Sequence, residues 1–411
     1  MTRAIFLLLT LAILPGTGLG VEWKQWRGPN GNGTAASGAT PPLVWSDSEN
    51  VKWKAYLPGR GMSSPIVVGE LVIVTTATED GQFVLAYARS DGSIQWKERP
   101  HEGGLPEKIH QKNSAATPTP ASDGKNVYVV FHNAGRVVLT AISLKGDRLW
   151  QKDTGAFECD YGFGYAPSPT IHGDRVIVSS EFGADGYLAA FRLSDGEQLW
   201  RTERKVKTSY SSPIVAKTAG RDQLLLSGAT KVSSYDPVDG RLLWQIDGSS
   251  AATCGTMVWN EDAVFASGGF PNKETLAVRV GEKPGVIWRN GDKSYEQSLL
   301  YHDGHLYAFN DGGIAVCWNA ATGEEKWKER LGGPVSASPV LAGGRIYAMN
   351  ERGITYVFST DPAKFTKLGE STLGDEGFAT PVFVGNEVFL RTATNSGERK
   401  EWLYCLEETG R

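Results

Sequence analysis

Cysteine is scarce in this chain: four in 411 residues, at positions 159, 254, 317 and 405, with no two adjacent. That spacing fits neither a thiolate metal site nor the C-x-x-C-H attachment of a haem. A basic excess is also missing, since 42 Lys and Arg stand against 46 Asp and Glu, a net charge of −4. A nucleic-acid partner, whose phosphates ask for a basic face, is therefore not expected. Apolar runs long enough to span a bilayer are absent. The one extended run, Ala4 to Leu14, follows Arg3 and ends at Pro15, with small residues at Gly18 and Gly20. This pattern predicts a signal peptide over residues 1–20, whose removal with Arg3 takes the net charge from −4 to −5. No Cys follows it to carry a lipid. The expectation is an exported, soluble chain, periplasmic or extracellular, not a lipoprotein, without a transmembrane segment once mature.

What the chain has in quantity is glycine and tryptophan, 49 and 13. They are periodic. The stretch SSPIVVGELVIVTTATEDGQFVLAYARSDGSIQW, residues 63–96, reads as short β-branched and aliphatic runs cut by Gly and Asp, four antiparallel strands in hairpins. One such sheet has a face to bury and nothing of its own to bury it against. Copies follow. A Ser/Thr-Pro mark recurs at Ser64, Thr117, Ser168, Ser212, Ser338 and Thr380, with degenerate marks at Thr256 and Ser298, the steps being 40 to 53 residues. Independently, Trp recurs at 96, 150, 200, 244, 288 and 327. A period in the forties with four strands per unit means propeller blades rather than a helical solenoid.

Eight marks meet only six tryptophans in register. The seventh unit ends in Asp361-Pro362-Ala363-Lys364-Phe365 without its Trp, and the eighth lacks an outer strand. Residues 51–54 supply one, because Trp53 precedes Trp96 by 43 residues, a further period. The fold class expected is all-β: a single eight-bladed β-propeller of four-stranded antiparallel blades over 51–411. The N-terminal strand should close it by pairing with residues 403–406, hiding both open edges. Residues 21–50, rich in Gly and Pro and without strand periodicity, read as a loop-like extension.

The unit tails Asp195-Gly196…Trp200, Asp236…Asp239-Gly240…Trp244 and Thr322-Gly323…Trp327 resemble the PQQ-type propeller repeat of the quinoprotein alcohol dehydrogenase-like family, A-x-D-x-x-T-G-x-x-x-W. The resemblance implies that Trp53, Trp96, Trp150, Trp200, Trp244, Trp288 and Trp327 dock between neighbouring blades. Cys317 and Cys405 take the place of Ala86, Ala141, Ala190 or Ser234 and read as core. Cys159 and Cys254 lie in connections, and a disulfide between them stays open. The string Trp23, Trp26, Arg27, Gly28, Pro29 is similar to the start of exported propellers of planctomycete-type bacteria. Its two tryptophans are expected to clamp the extension onto the outer surface.

Two connections between blades are long, 97–113 and 151–165, and extra loop length is where propellers place recognition. With residues just ahead of the marks they give the candidate binding set: Arg60, His110, Asn113, Asp160, Tyr161, Phe163, Tyr165, Lys207, Tyr210, Glu296 and Gln297. The aromatics offer flat apolar contact with a hydroxyl at the rim, and the partner is expected on the loop face over blades 1 to 3. His101, Glu102 and His110 lack the tight spacing of metal ligands, and His302-Asp303-Gly304-His305 sits across a hairpin, so no metal is expected. No nucleophile, base and orienting acid stand together in the sequence.

The function expected is a non-catalytic, exported scaffold of the BamB type, a monomer presenting its loops to an envelope protein or extended peptide. A carbohydrate-binding propeller is one alternative. The other is a dehydrogenase of alcohols or sugars using PQQ with calcium. That class, by resemblance, seats its quinone on a vicinal Cys-Cys disulfide, which this chain cannot form. No cofactor is expected.

Overall fold

The computed structural model describes residues 22–158, 162–206 and 208–409. Among these, eight four-stranded antiparallel sheets follow one another around a ring, an eight-bladed β-propeller. Blades 1 to 7 each take four consecutive strands from the axis outward. Blade 1, for example, runs Ile66–Val68, Leu71–Thr78, Gly81–Ala88 and Ile94–Glu102. The inner and middle strands are buried on both faces, as Ile66–Val68 and Gly81–Ala88 show, and read as continuous apolar runs. The outermost strand meets solvent and alternates, as Ile94–Glu102 does.

Blade 8 closes the ring. Val51–Leu57 forms its outer strand, pairing Val51 with Leu406, Lys54 with Tyr404 and Leu57 with Glu401. The expected closing strand is present and runs three residues beyond Lys54. At the seam with blade 1 the buried pair Arg391–Glu401 (2.6 Å) reaches across, Arg391 donating to the Ser63 hydroxyl (3.1 Å) and the Thr75 carbonyl (2.8 Å). The carboxylate of Glu401 in turn accepts from the Gly61 amide at 3.2 Å.

Each repeat Trp stands opposite a small residue of the third strand: Trp96 on Ala86, Trp150 on Ala141, Trp244 on Ser234, Trp327 on Cys317, Trp53 on Cys405. The small side chain leaves room for the indole. That places Cys317 and Cys405 in the core, both fully buried. Six of the seven indoles donate to a carbonyl in the next blade's turn: Trp53 to Arg89, Trp96 to Leu144, Trp150 to Leu193, Trp200 to Pro237, Trp288 to Ala320 and Trp327 to Asp361, at 2.8–3.3 Å. Trp244 departs from this pattern. It donates instead to Gln223 of its own blade (2.8 Å).

Blade 7 lost its repeat Trp and takes one from elsewhere. Trp45 of the extension, 3 % exposed, stacks on Tyr347 with centroids 6.5 Å apart and planes 7° from parallel. Tyr347 is opposite Val357 as Tyr307 is opposite Cys317, so the borrowed indole lies where Trp327 meets Tyr307 in blade 6.

The extension is not clamped on the outer surface, as the sequence suggested. Trp23 forms a bridge with Val67 of blade 1, and the Lys24 carbonyl accepts from Ser122 of blade 2. Gly31 abuts Ile214 of blade 4, and Thr34 bridges Leu341 of blade 7. The segment therefore crosses the axial opening at the end where the inner strands turn back. Arg27 is its pin: 1 % exposed, it donates to the carbonyls of Pro339 (2.9 Å), Leu299 (2.6 Å) and Asn32 (3.1 Å). Inner-strand carbonyls that face an axis have no partner within their own sheet, and a guanidinium with five donors satisfies several at once.

Candidate functional site

The residues that begin the inner strands line the axis, and their hydroxyls join blade to blade. The Ser64 amide donates to Thr119 Oγ1, Thr119 to Ser168 Oγ, and Ser168 to Ser212 Oγ, at 2.9–3.0 Å. Thr256 continues to Ser298, Ser298 to Ser338 and Ser338 to Thr380, again at 2.9–3.0 Å. The recurring Ser/Thr is thus a staple between neighbouring inner strands. In blade 2 the residue in register is Thr119, not Thr117. The tandem Thr-Pro-Thr-Pro string offers two frames, and Thr117 instead bonds Asn113 and Ser114 in the loop above. The hydroxyl of Thr256 accepts the Trp26 indole N–H at 2.8 Å, so Trp26 stops the axis at the level of these hydroxyls.

Above Trp26 opens a cavity of about 250 Å³ on the loop face. Its floor is Trp26 with Thr119, Ser168, Ser212 and Thr380. One wall is aromatic. His110 stands edge-on to Phe163 with centroids 5.4 Å apart, Phe163 lies 5.9 Å from Tyr210, and Tyr295 and Phe378 complete the lining. The charged lining is Lys112 and Glu296, and two acids from turns of blades 6 and 7 stand close enough to act on Glu296. Glu296 lies ahead of blade 6, Asp311 in the turn between that blade's second and third strands, and Glu351 in the matching turn of blade 7.

Lys112 crosses the mouth from the loop after blade 1 and pairs with Glu351 at 2.7 Å, standing 3.9 Å from Glu296. Ser336 donates toward Glu296 and lies 2.7 Å from Glu351. Burial first, then the neighbouring Glu351 and Asp311 charges, hold the Glu296 carboxyl above its ordinary range against the opposing pull of Ser336 and Lys112. Burial works to lower Lys112, but its bond to Glu351 and the charges of Glu296 and Asp311 outweigh it, and its pKa is raised.

The structure brings His110, Asn113, Phe163, Tyr210 and Glu296 of the expected set together in this cavity. Arg60 donates to the Gln111 carbonyl and braces the loop. Tyr165 is buried, its hydroxyl on the Ser179 carbonyl at 2.7 Å and its ring 5.1 Å from Phe157. Gln297 is fully buried and donates to the Val335 carbonyl between blades 6 and 7. Asp160, Tyr161 and Lys207 lie outside the described residues, as does Cys159, and with it the open question of a 159–254 disulfide. Cys254 itself lines the cavity, its thiol pushed well up by burial. The sequence reading passed over Lys112, Ser336 and Phe378. The charged turns of blades 6 and 7 carried the available signal, Asp311 and Glu351 each following an Asn at the same place in the repeat.

The family model described as outer membrane protein assembly factor BamB matches residues 20–160, 155–303 and 272–395. A BamB of Burkholderia pseudomallei is 24 % identical over 348 residues, covering 83 % of this chain and 75 % of its own. The solved BamB of Moraxella catarrhalis superposes with a TM-score of 0.62 at 15 % identity, over 87 % of this chain and 98 % of that one. The quinohemoprotein alcohol dehydrogenase of Comamonas testosteroni reaches 0.67 at 12 % identity, over 95 % and 81 %. At such identities the structural likenesses speak to fold.

Proposed function

Because this chain belongs to the PQQ-like β-propeller family described as outer membrane protein assembly factor BamB, we propose that it is an exported, non-catalytic binding propeller. Its loop-face funnel receives an extended segment of an envelope protein. The observation that carries this reading is the blind cavity over Trp26, about 250 Å³ with aromatic and acidic walls. A space of that size takes one or two side chains of a peptide, while the surrounding loops 103–120 and 162–169 offer backbone to it. The relatives named for outer-membrane assembly support a protein partner of the envelope.

The funnel does not suit PQQ. That cofactor is a planar tricarboxylate, and Glu296 lines the cavity with the acids Glu351 and Asp311 close behind it, Lys112 being already held by Glu351 at 2.7 Å. Carboxylates facing carboxylates in a half-buried site repel. The reading therefore has no cofactor, and adding PQQ with calcium should give no turnover of alcohols or sugars.

Phe378 tests the site. It is half-buried on the cavity wall rather than in the core. Replacing it by Ala should cut capture of the envelope partner by about tenfold while the melting temperature stays put, since interface aromatics carry a large share of binding energy. Unchanged capture, or a fall in capture that only tracks a fall in melting temperature, would overturn the reading.

A further inference from the structure

Glu296 is the least compensated charge of the funnel. Of the two lysines on that side, Lys112 is committed to Glu351 (2.7 Å) and Lys293 to Asp311 (3.0 Å). Among the described residues Glu296 keeps only the Ser336 hydroxyl and Lys112 at 3.9 Å, yet it lines the cavity and is half-buried. Phe163, Tyr210 and Tyr295 line the same cavity, with Trp26 at its floor. Aromatic faces attract cations through their quadrupole and pack against methylene stems. An anion and a ring of aromatic faces around one small space match a long side chain ending in a positive charge.

We propose that the funnel is a socket for a lysine or arginine side chain of the partner segment. Its charge lies against Glu296, and its stem lies along Phe163, Tyr210 and Tyr295. The proposal rests on the binding reading above and narrows it to a partner chemistry. An acidic or purely apolar segment leaves Glu296 facing a space without a counter-charge, which costs affinity. The groups facing Glu296 are Lys112, Glu351, Asp311, Ser336 and the Cys254 thiol. Among the described residues, none of these supplies an uncommitted positive charge. Because Glu296 is held above its ordinary range, binding of a cationic segment should strengthen as pH rises through that titration and the carboxylate forms.

The test uses the whole exported chain and short fluorescein-labelled peptides of alternating valine and serine, whose central residue is lysine, arginine, norleucine or glutamate. The lysine and arginine peptides should bind at least about tenfold tighter than norleucine, and glutamate weakest. Glu296→Gln should bring lysine down to the norleucine level without lowering the melting temperature, since it removes a charge that burial disfavours. Glu351→Gln serves as a second variant: it frees Lys112 to turn to Glu296 and should weaken lysine binding as well. Equal affinity for all four peptides, unmoved by Glu296→Gln, would overturn the socket and leave the binding reading standing. Failure of every peptide to bind saturably would overturn both.

Discussion

At the residue scale, the side chain that most shapes the axis is Arg27. Its guanidinium is buried at 1 % exposure and joins the extension to blades 6 and 7 through the Leu299 and Pro339 carbonyls. Burial pulls its pKa down to about 9, and the three carbonyl acceptors keep it charged at neutral pH. Removing it strands those carbonyls and leaves a void under Trp26. Arg27→Ala should therefore cost about 3 kcal/mol of stability, read from denaturant unfolding, the magnitude usual for deleting a buried hydrogen-bonded charge. An effect under about 0.5 kcal/mol, the surface norm, would show that the segment is only draped across the opening.

The residue scale is also where sequence reading runs short. A Gly/Pro-rich string shows no period, and each contact of Arg27 with the ring is made some 300 residues away, to Leu299 and Pro339. Nothing local says that its donors meet orphaned inner-strand carbonyls. Tyr165 and Gln297 sit just ahead of the inner strands, as Tyr210 and Glu296 do, and a residue's neighbourhood in the chain does not say which way it faces. The structure turns the first pair into the blades and the second pair into the cavity.

At the scale of the element, the blade was legible because its signals are redundant. The Trp, the small residue facing it and the Gly of the following turn form one unit of packing. In Gly196 the backbone is left-handed, φ +70°, and a methyl group there would fall 2.7 Å from the Trp150 ring of the previous blade. Gly173, at the tip of another hairpin, is equally left-handed at φ +59° but has open space around it. Gly196→Ala should thus cost about 3 kcal/mol, the sum of backbone strain and overpacking, against about 1 kcal/mol for Gly173→Ala. Equal losses in thermal unfolding would mean that the indole does not rest on the turn. The same logic explains blade 7, where Gly369 faces Val357 in place of a Trp and the extension fills in with Trp45. A marker missing from the repeat predicted a decayed blade; that the replacement comes from residue 45 is a tertiary fact no periodicity encodes.

For the whole molecule, closure and function follow from the same design. The strand Val51–Leu57 removes the last edge, and the extension ahead of it stops one end of the axis with Trp26, which leaves the other end as the open face. Eight blades deliver their loops to that face, so one small funnel gathers side chains from the connections after all eight of them. Placing a photo-crosslinking amino acid at His110, on the funnel rim, and separately at Leu242, exposed on the outer strand of blade 4, asks which surface the partner meets. The account predicts a discrete envelope-protein adduct from position 110, suppressed by excess lysine peptide, and none from position 242. Adducts from position 242 with none from position 110 would contradict it.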